Sequence, residues 1–478
     1  MLQVLKRLFK QSAVYAVGTV LNRAVSILML PFYTRYLTKY EFGILEILLI
    51  TSTILLFVLQ LGMGPALFRS VLYKKKANRR IDISTAYYFL AFFALTVIAF
   101  LIAAATPLSL VLFDDPAKAV LLRIIFVGDF FLLLNAIPMV VLRIDQKSIK
   151  FATIASSNFF LGIGLNILFL IVFRQGVRGV VTANTISAVL FSAIYFFVIR
   201  AELQLTFSIR ELKDMLLFGL PLVPGAIGDM VLMMSDRYFI KFYRGLDELA
   251  SYGVAIRISL VISLMVSAFQ MAWPAIFFPM VKEKDAHITL ARIFTYFLGF
   301  LVTLGFILSV FSREIITLIA TTRFVEGARV IPYLMIAFIF YGVYYYTSIG
   351  IQIKKKTIFF PIVIGITAVL SIGLNFLLVP RYGQVGAGLA KMCALVALGL
   401  GICAISSRYY YIPFEYARLL KVLIAAVVLY LLSTLVSGSS TIIVLLQKGA
   451  IVLLFPVVLL FIGFFTDTEL DFLKKGER

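Results

Sequence analysis

Three basic residues stand inside stretches too apolar to solvate them: Arg23 in GTVLNRAVSILML, Arg257 in SYGVAIRI and Lys391 in GLAKMCALVA. Four acids do the same, Glu46, Asp129, Asp229 and Asp236. A charge at the centre of a bilayer costs on the order of 2.5–3.5 kcal/mol on insertion scales, so each is expected to face a cavity or a counter-charge. The chemistry open to such bases is anion recognition, and the arginine fork matches phosphate oxygens two at a time. Because bases are as prominent as acids, an anionic head group suits these positions better than an organic cation. The acids are candidates for ion coupling or for pairing with the bases.

The elements that must hold these residues follow from composition. The chain has 478 residues, of which 62% are hydrophobic and only 14% charged, and its mean hydropathy is +1.05. This exceeds the apolar content of soluble globular proteins and implies a polytopic membrane protein. A helical span needs roughly 20 apolar residues. Fourteen stretches qualify, near 12–34, 43–70, 83–106, 119–142, 151–173, 179–199, 214–236, 249–280, 288–312, 328–352, 357–379, 384–407, 416–437 and 441–465. Runs such as IGITAVLSIGLNFLLV lack the alternation of a transmembrane β-strand, so the spans are expected to be helices.

The net charge of +21 is gathered in short clusters beside the spans, including Lys74, Lys75, Lys76, Arg79 and Arg80, and Lys354, Lys355 and Lys356. Counted loop by loop, the excess of Lys and Arg places both termini in the cytoplasm of a cell-membrane protein. These clusters read as topology determinants near anionic lipid, and nucleic acid is not an expected partner. The N-terminal MLQVLKRLFKQS shows no small-residue cleavage site, so no removable leader is expected.

Several chemistries find no residues here. The single histidine excludes a histidine cluster, and Cys393 and Cys403, ten residues apart, fit no metal-ligand pattern and read as small buried side chains. No GxxxxGK[ST] motif appears. The acidic pair in FDDP, Asp114 and Asp115, reads as a solvated turn. No enzyme activity, metal or cofactor is expected.

The chain repeats itself. GIGLNILFLIVFRQGVRG from Gly162 is answered by SIGLNFLLVPRYGQVGAG from Ser371, with QKSIKF upstream of the first and KKTIFF upstream of the second. A second region, YTRYLTKYEFGILEI from Tyr33, is answered by SDRYFIKFYRGLDELASYGVAIRI from Ser235. The offset contains six spans, an even number, so both copies enter the membrane in the same direction. The expected organisation is an N-lobe of spans 1–6 (1–205), a C-lobe of spans 7–12 (206–410), and spans 13–14 with a tail (411–478). Parallel repeats of this kind characterise transporters whose lobes rock about a central site.

Other features are secondary. Pro221, Pro224, Gly225 and Gly228 are expected to bend the seventh span. Tyr341, Tyr344 and Tyr345 share one face of the tenth span, where they pack between helices or stack on sugar rings, and the repeated Asn166 and Asn375 are further candidates for sugar contact.

The first span followed by YLTKYEFGILEI, the LPLVPGAIGDMVLMMSDRYFI of the seventh and the SYGVAIRI of the eighth resemble the polysaccharide biosynthesis exporters of the multidrug/oligosaccharidyl-lipid/polysaccharide (MOP) superfamily. The resemblance covers nearly the whole chain, and its most specific part is the Asp236-Arg237 pair. It implies an all-α, MATE-like fold of two six-helix lobes plus two helices. It also implies an oligosaccharide-unit flippase whose partners are a polyprenyl-pyrophosphate-linked oligosaccharide, membrane lipid and polysaccharide synthesis enzymes. In related lipid-linked-sugar flippases cationic residues of helices one and eight line the cavity, which by position suggests Arg23 and Arg257. Two alternatives stay open: a multidrug or cation antiporter of the same superfamily, and a membrane-embedded glycosyl polymerase or ligase.

Overall fold

A backbone in hydrocarbon has no water to bond, so it must satisfy its N–H and C=O groups within its own segment, and apolar runs of this length do so as helices. The computed structural model describes residues 27–73, 79–281, 283, 285–436 and 441–465, and every regular element among them is helical. The chain divides into two compact units, 1–253 and 254–478.

The first unit holds α1 (Leu30–Tyr36), α2 (Lys39–Leu59), α3 (Met63–Tyr73), α4 (Arg79–Ala103), α5 (Ala105–Phe113), α6 (Ala119–Leu134), α7 (Ala136–Ile144), α8 (Ser148–Ile167), α9 (Gly176–Ile199), α10 (Ile209–Gly219) and α11 (Val223–Arg244). α12 (Leu246–Met280) begins in this unit and continues into the next. The second unit holds α13 (Ala286–Val310), α14 (Ser312–Ile319), α15 (Ile331–Thr347), α16 (Ile349–Ile353), α17 (Phe359–Ser407), α18 (Tyr416–Thr434) and α19 (Thr441–Phe461).

Among the described residues twelve helical segments are long and apolar enough to cross a membrane. The expected spans 357–379 and 384–407 run together as α17, which is 49 residues long and broken at Gly383 (φ 56°, ψ −134°). Such a backbone geometry favours glycine because a side chain would clash there. The first expected span lies for the most part outside the described residues, and each other expected span has its helix.

Local sequence explains the remaining breaks. Pro221 sits in a 3₁₀ turn, Leu220–Leu222, that separates α10 from α11, and Pro224 opens the next helix where its missing N–H is harmless. α2 starts with a capping box: Thr38 Oγ1 accepts from the Glu41 N–H (3.2 Å) and the Glu41 carboxylate accepts from the Thr38 N–H (2.9 Å).

Within the first unit α6 packs on α2, α4 and α9, which makes it the natural carrier of buried polar groups. In the second unit α15 packs on α13 and α17, while α18 lies on α13, and α19 on α18 and α13. The last two spans are tied down by polar bonds as well. Arg418 Nε donates to the Phe464 carbonyl (2.7 Å) and its Nη1 to Glu415 (2.9 Å); Lys448 Nζ donates to Glu314 Oε1 (2.6 Å).

Candidate functional site

α6 brings Asp129 inside the first unit immediately after a glycine, and that glycine matters. A Cβ on Gly128 would stand 2.8 Å from Thr185 Oγ1, so its absence lets α9 lie close against α6. Asp129 is 1% exposed. Its Oδ1 accepts from Ser52 Oγ of α2 at 2.5 Å, whereas its Oδ2 is buried with no hydrogen-bond partner.

Around this carboxylate the neighbouring helices supply amides and hydroxyls. Asn166 of α8 donates through Nδ2 to Gly162 O (2.8 Å) and to Asn184 Oδ1 of α9 (2.9 Å), and its Oδ1 accepts from Tyr33 OH (3.2 Å). Ser187 Oγ donates to Asn158 Oδ1 (2.8 Å), and Thr185 Oγ1 to the Ile124 carbonyl (2.9 Å). These groups line a cavity of about 240 Å³. Two residues flagged by sequence, Asp129 and Asn166, thus meet at one site. Ser52, Asn158, Asn184, Thr185 and Ser187 were not singled out, although Asn184 and Ser187, three apart, already marked one face of a span.

The other acids of the first unit lie elsewhere in it. Glu46 is 5% exposed on α2, with its carboxyl against Gly253, where an added Cβ would stand 2.8 Å from Glu46 Cδ. Asp236 of α11 is buried and accepts a very short hydrogen bond from Tyr252 OH. Asp229, on the same helix, is half-buried. α11 is fastened near its end by Lys241, whose Nζ donates to Val111 O (3.0 Å) and Asp114 Oδ2 (3.1 Å), and by the Tyr238 hydroxyl, 2.8 Å from Thr51 Oγ1. Asp115 caps the following turn by accepting from the Ala117 N–H (2.8 Å).

A charged cluster lies where α4 begins. Arg79 Nη2 donates to Asp145 Oδ1 (2.6 Å) and its Nε to Glu202 Oε2 (3.3 Å), while Lys147 Nζ reaches Asp145 Oδ2 (2.9 Å). Burial raises the Asp145 pKa, but the bonds from Lys147 and Arg79 and their charges outweigh it and hold the carboxyl below its ordinary range.

The second unit carries two of the three candidate cations. Arg257 on α12 is 6% exposed and Lys391 on α17 only 1%. The tyrosines of α15 touch one another: Tyr341 and Tyr344 stack at 5.8 Å between centroids, and the Tyr341 and Tyr345 hydroxyls are 3.0 Å apart. Asn375 is fully buried and donates to Ser371 O (2.8 Å). Arg23 lies outside the described residues. Cys393 corrects the expectation of a buried thiol, since it is exposed and Cys403 is half-buried. The reason is helical phase: two residues beyond Lys391, Cys393 points nearly opposite to that buried face.

The profile of the polysaccharide biosynthesis protein family matches residues 8–280, more than half of the chain. The chain belongs to this family. The matched region contains Arg23, Glu46, Asp129, Asn166, Asp229, Asp236 and Arg257, and stops short of Lys391 and the α15 tyrosines. Among solved structures, this family member is similar to the lipid II flippase MurJ in an inward closed conformation, with a TM-score of 0.77 at 16% identity over 94% of this chain and 98% of that one. It is similar also to a MOP superfamily transporter from Pyrococcus furiosus described as having a binding pocket of reverse polarity (TM-score 0.63, 14% identity, 84% and 95% covered). A multidrug resistance MATE transporter in an outward-facing conformation gives 0.60 at 16% identity, over 85% and 96% of the two chains. These likenesses establish the MOP fold. An uncharacterized membrane protein of Methanocaldococcus jannaschii is 22% identical over 202 residues, 40% of this chain, and the match spans 39% of that relative's length.

Proposed function

We propose that this protein is a flippase that carries polyprenyl-pyrophosphate-linked oligosaccharide units from the cytoplasmic to the outer leaflet of the cytoplasmic membrane, for assembly of cell-surface polysaccharide. The observation that carries this reading is Arg257, 6% exposed within an apolar helix, in a member of the polysaccharide biosynthesis family with the fold of a lipid II flippase. A buried guanidinium answers a pyrophosphate in charge and in geometry. Arg23, Arg257 and Lys391 hold the diphosphate, and Asp229, Asp236 and Glu46 serve as counter-charges. Sugar meets Tyr341, Tyr344, Tyr345, Asn166 and Asn375, and the lipid tail stays in the bilayer. The lobes 1–205 and 206–410 alternate around this site, with 411–478 appended and both termini cytoplasmic. Synthesis enzymes of the polysaccharide are its partners, and the chain itself does no covalent chemistry.

The test reconstitutes the purified protein in liposomes with a labelled polyprenyl-pyrophosphate oligosaccharide and follows exposure of the sugar to an impermeant glycosidase. Protein-dependent exposure that fails in Arg257→Ala supports the reading. Extrusion of a cationic dye, with no sugar exposure across a panel of oligosaccharides, assigns the protein to the drug-antiporter branch instead.

A further inference from the structure

We propose that the turn between α16 and α17 is a docking site for anionic phospholipid head groups of the leaflet it borders, the cytoplasmic one in the orientation proposed above. This goes beyond the flippase reading and takes from it only the name of the leaflet.

The two copies of the repeat supply the comparison. In the first, the turn from α7 to α8 closes with the Lys147 N–H donating to Leu142 O (3.0 Å) and the Gln146 N–H to Arg143 O (3.1 Å). In the second, the turn from α16 to α17 closes with the Lys356 N–H donating to Ile351 O (3.0 Å) and the Lys355 N–H to Gln352 O (3.1 Å). Gln146 (φ 54°) and Lys355 (φ 56°) take the same left-handed conformation, which favours glycine at the end of a helix. Three residues further on each copy exposes an isoleucine, Ile149 at 75% and Ile358 at 63%. One backbone device is used twice.

The side chains on it differ in charge. Asp145-Gln146-Lys147 stands in the first copy where Lys354-Lys355-Lys356 stands in the second. The first set is neutral in sum and closed on itself: Lys147 Nζ reaches Asp145 Oδ2 (2.9 Å), and Asp145 Oδ1 also accepts from Arg79 (2.6 Å). In the second set all three lysines are exposed, and none has an acid partner among the described residues. Arg408 adds a fourth charge. The end of α17 returns to this turn, where the Gly350 N–H donates to Ser406 Oγ (2.9 Å) and the Phe359 and Tyr409 rings lie 6.0 Å apart between centroids. Arg408, between Ser406 and Tyr409, is exposed and likewise without an acid among the described residues. Four like charges gathered without a counter-charge repel one another until an anion lies among them.

The surroundings select the anion. The turn joins two apolar spans, Ile331–Ile353 and Phe359–Ser407, so it lies at the membrane surface. Ile358 offers an apolar contact beside the lysines, and Tyr411, 70% exposed, an amphipathic one three residues beyond Arg408. A soluble anion meets only the charge, whereas a phospholipid meets the charge with its phosphate and the apolar contacts with its acyl chains. Lysine, a point charge, holds a phosphate diester without a fixed fork geometry, and four bases beside a span are the footprint of an anionic-lipid site.

The test is native mass spectrometry of the full-length protein in detergent, titrated with phosphatidylglycerol or phosphatidylcholine. No lipid-linked sugar is present, so the outcome is separate from that of the flipping assay. The parent protein is expected to bind phosphatidylglycerol about tenfold more tightly than phosphatidylcholine, or better. Lys354→Asp with Lys355→Gln writes the first copy's turn into the second, using residues that the same backbone already holds in the first. It is expected to weaken phosphatidylglycerol about twentyfold and to leave phosphatidylcholine unchanged. Lys147→Gln with Lys150→Gln removes two charges at the first turn and is expected to bind both lipids as the parent does. Lys356→Gln and Arg408→Gln, each expected to weaken phosphatidylglycerol about fivefold, carry the test if the double variant of the second turn does not fold. Equal losses in the two double variants would mean diffuse attraction to a basic protein and would overturn the site. Equal affinity of the parent for the two lipids overturns it as well, and capture of polyglutamate with no preference between the lipids would assign the patch to an acidic protein partner instead.

Discussion

Asn166 and Asn375 make the same bond in the two copies of the repeat: each Nδ2 donates at 2.8 Å to the carbonyl four residues earlier, Gly162 in one and Ser371 in the other. The likeness extends beyond the asparagine. Three residues on, the carbonyl of Phe169 lies 2.9 Å from where a Cβ on Gly179 would be, and the carbonyl of Leu378 lies 2.3 Å from the corresponding point on Gly386. Both copies therefore spell an apolar helix, an asparagine and a glycine turn for one local reason. The asparagine amide stays bonded inside its own helix, and the glycine lets the next helix start against the last turn of this one.

That contact makes an ordered prediction. Gly386→Ala forces backbone apart at 2.3 Å and Gly179→Ala only at 2.9 Å, and overpacking of this kind costs about 1–3 kcal/mol. Thermal unfolding of the purified variants should show both destabilised, Gly386→Ala the more. Equal stability of Gly386→Ala and the parent protein would remove the steric account of the repeat.

The sequence made the helices legible because hydrocarbon leaves the backbone so few choices, and it made Pro221 legible as a break because proline lacks an N–H. The charged candidates stand out for the same reason: Asp129, Arg257 and Lys391 are expensive where they are. The cavity around Asp129 did not stand out. Ser52, Asn158, Asn184 and Thr185 are each tolerable alone within a span, and only packing of α2, α6, α8 and α9 shows that they converge. The FDDP pattern predicts a solvated turn at Asp114, and its side chain is 82% exposed. What no local pattern announced is its partner, Lys241, 127 residues away and buried.

The Lys241 contact tests the division into lobes. Under the proposed boundary Asp114 belongs to the N-lobe and Lys241 to the C-lobe, so a cycle of alternating access must break their bond. Cysteines at both positions, joined by a short bismaleimide after Cys393 and Cys403 are replaced by serine, should stop flipping, while either single cysteine should permit it. Undiminished transport by the joined protein would place the lobe boundary elsewhere. On stability, Asp114→Asn should cost at most about 1 kcal/mol, as for exposed ion pairs, and Lys241→Ala more, because a buried stem is lost too.

Acid should reach the Asp145 cluster in a definite way. Its folded-state pKa is depressed by its bonds to Lys147 and Arg79, so its contribution to stability is fully present above the unfolded value of about 3.9 and is lost as pH falls through the lower, folded value. The Tm of the parent protein should therefore fall more steeply than that of Asp145→Asn below about pH 4. Parallel curves for the two proteins would mean that the cluster is screened into irrelevance.

Arg257 separates a phosphate clamp from a mere counter-charge. Lysine keeps the positive charge but not the planar fork, and it meets a diphosphate as a point charge. If Arg257 grips pyrophosphate, Arg257→Lys should remain folded and still flip substrate, with half-saturation shifted upward by about tenfold, the equivalent of ~1.4 kcal/mol. Arg257→Ala should lose transport at any accessible concentration while eluting as the parent does in size exclusion. If the side chain only neutralises a buried acid, lysine should restore transport completely and alanine should destabilise the protein, because the acid left behind would be buried without its partner. Flipping rates across a substrate series, read beside unfolding temperatures for the same three proteins, distinguish the two roles.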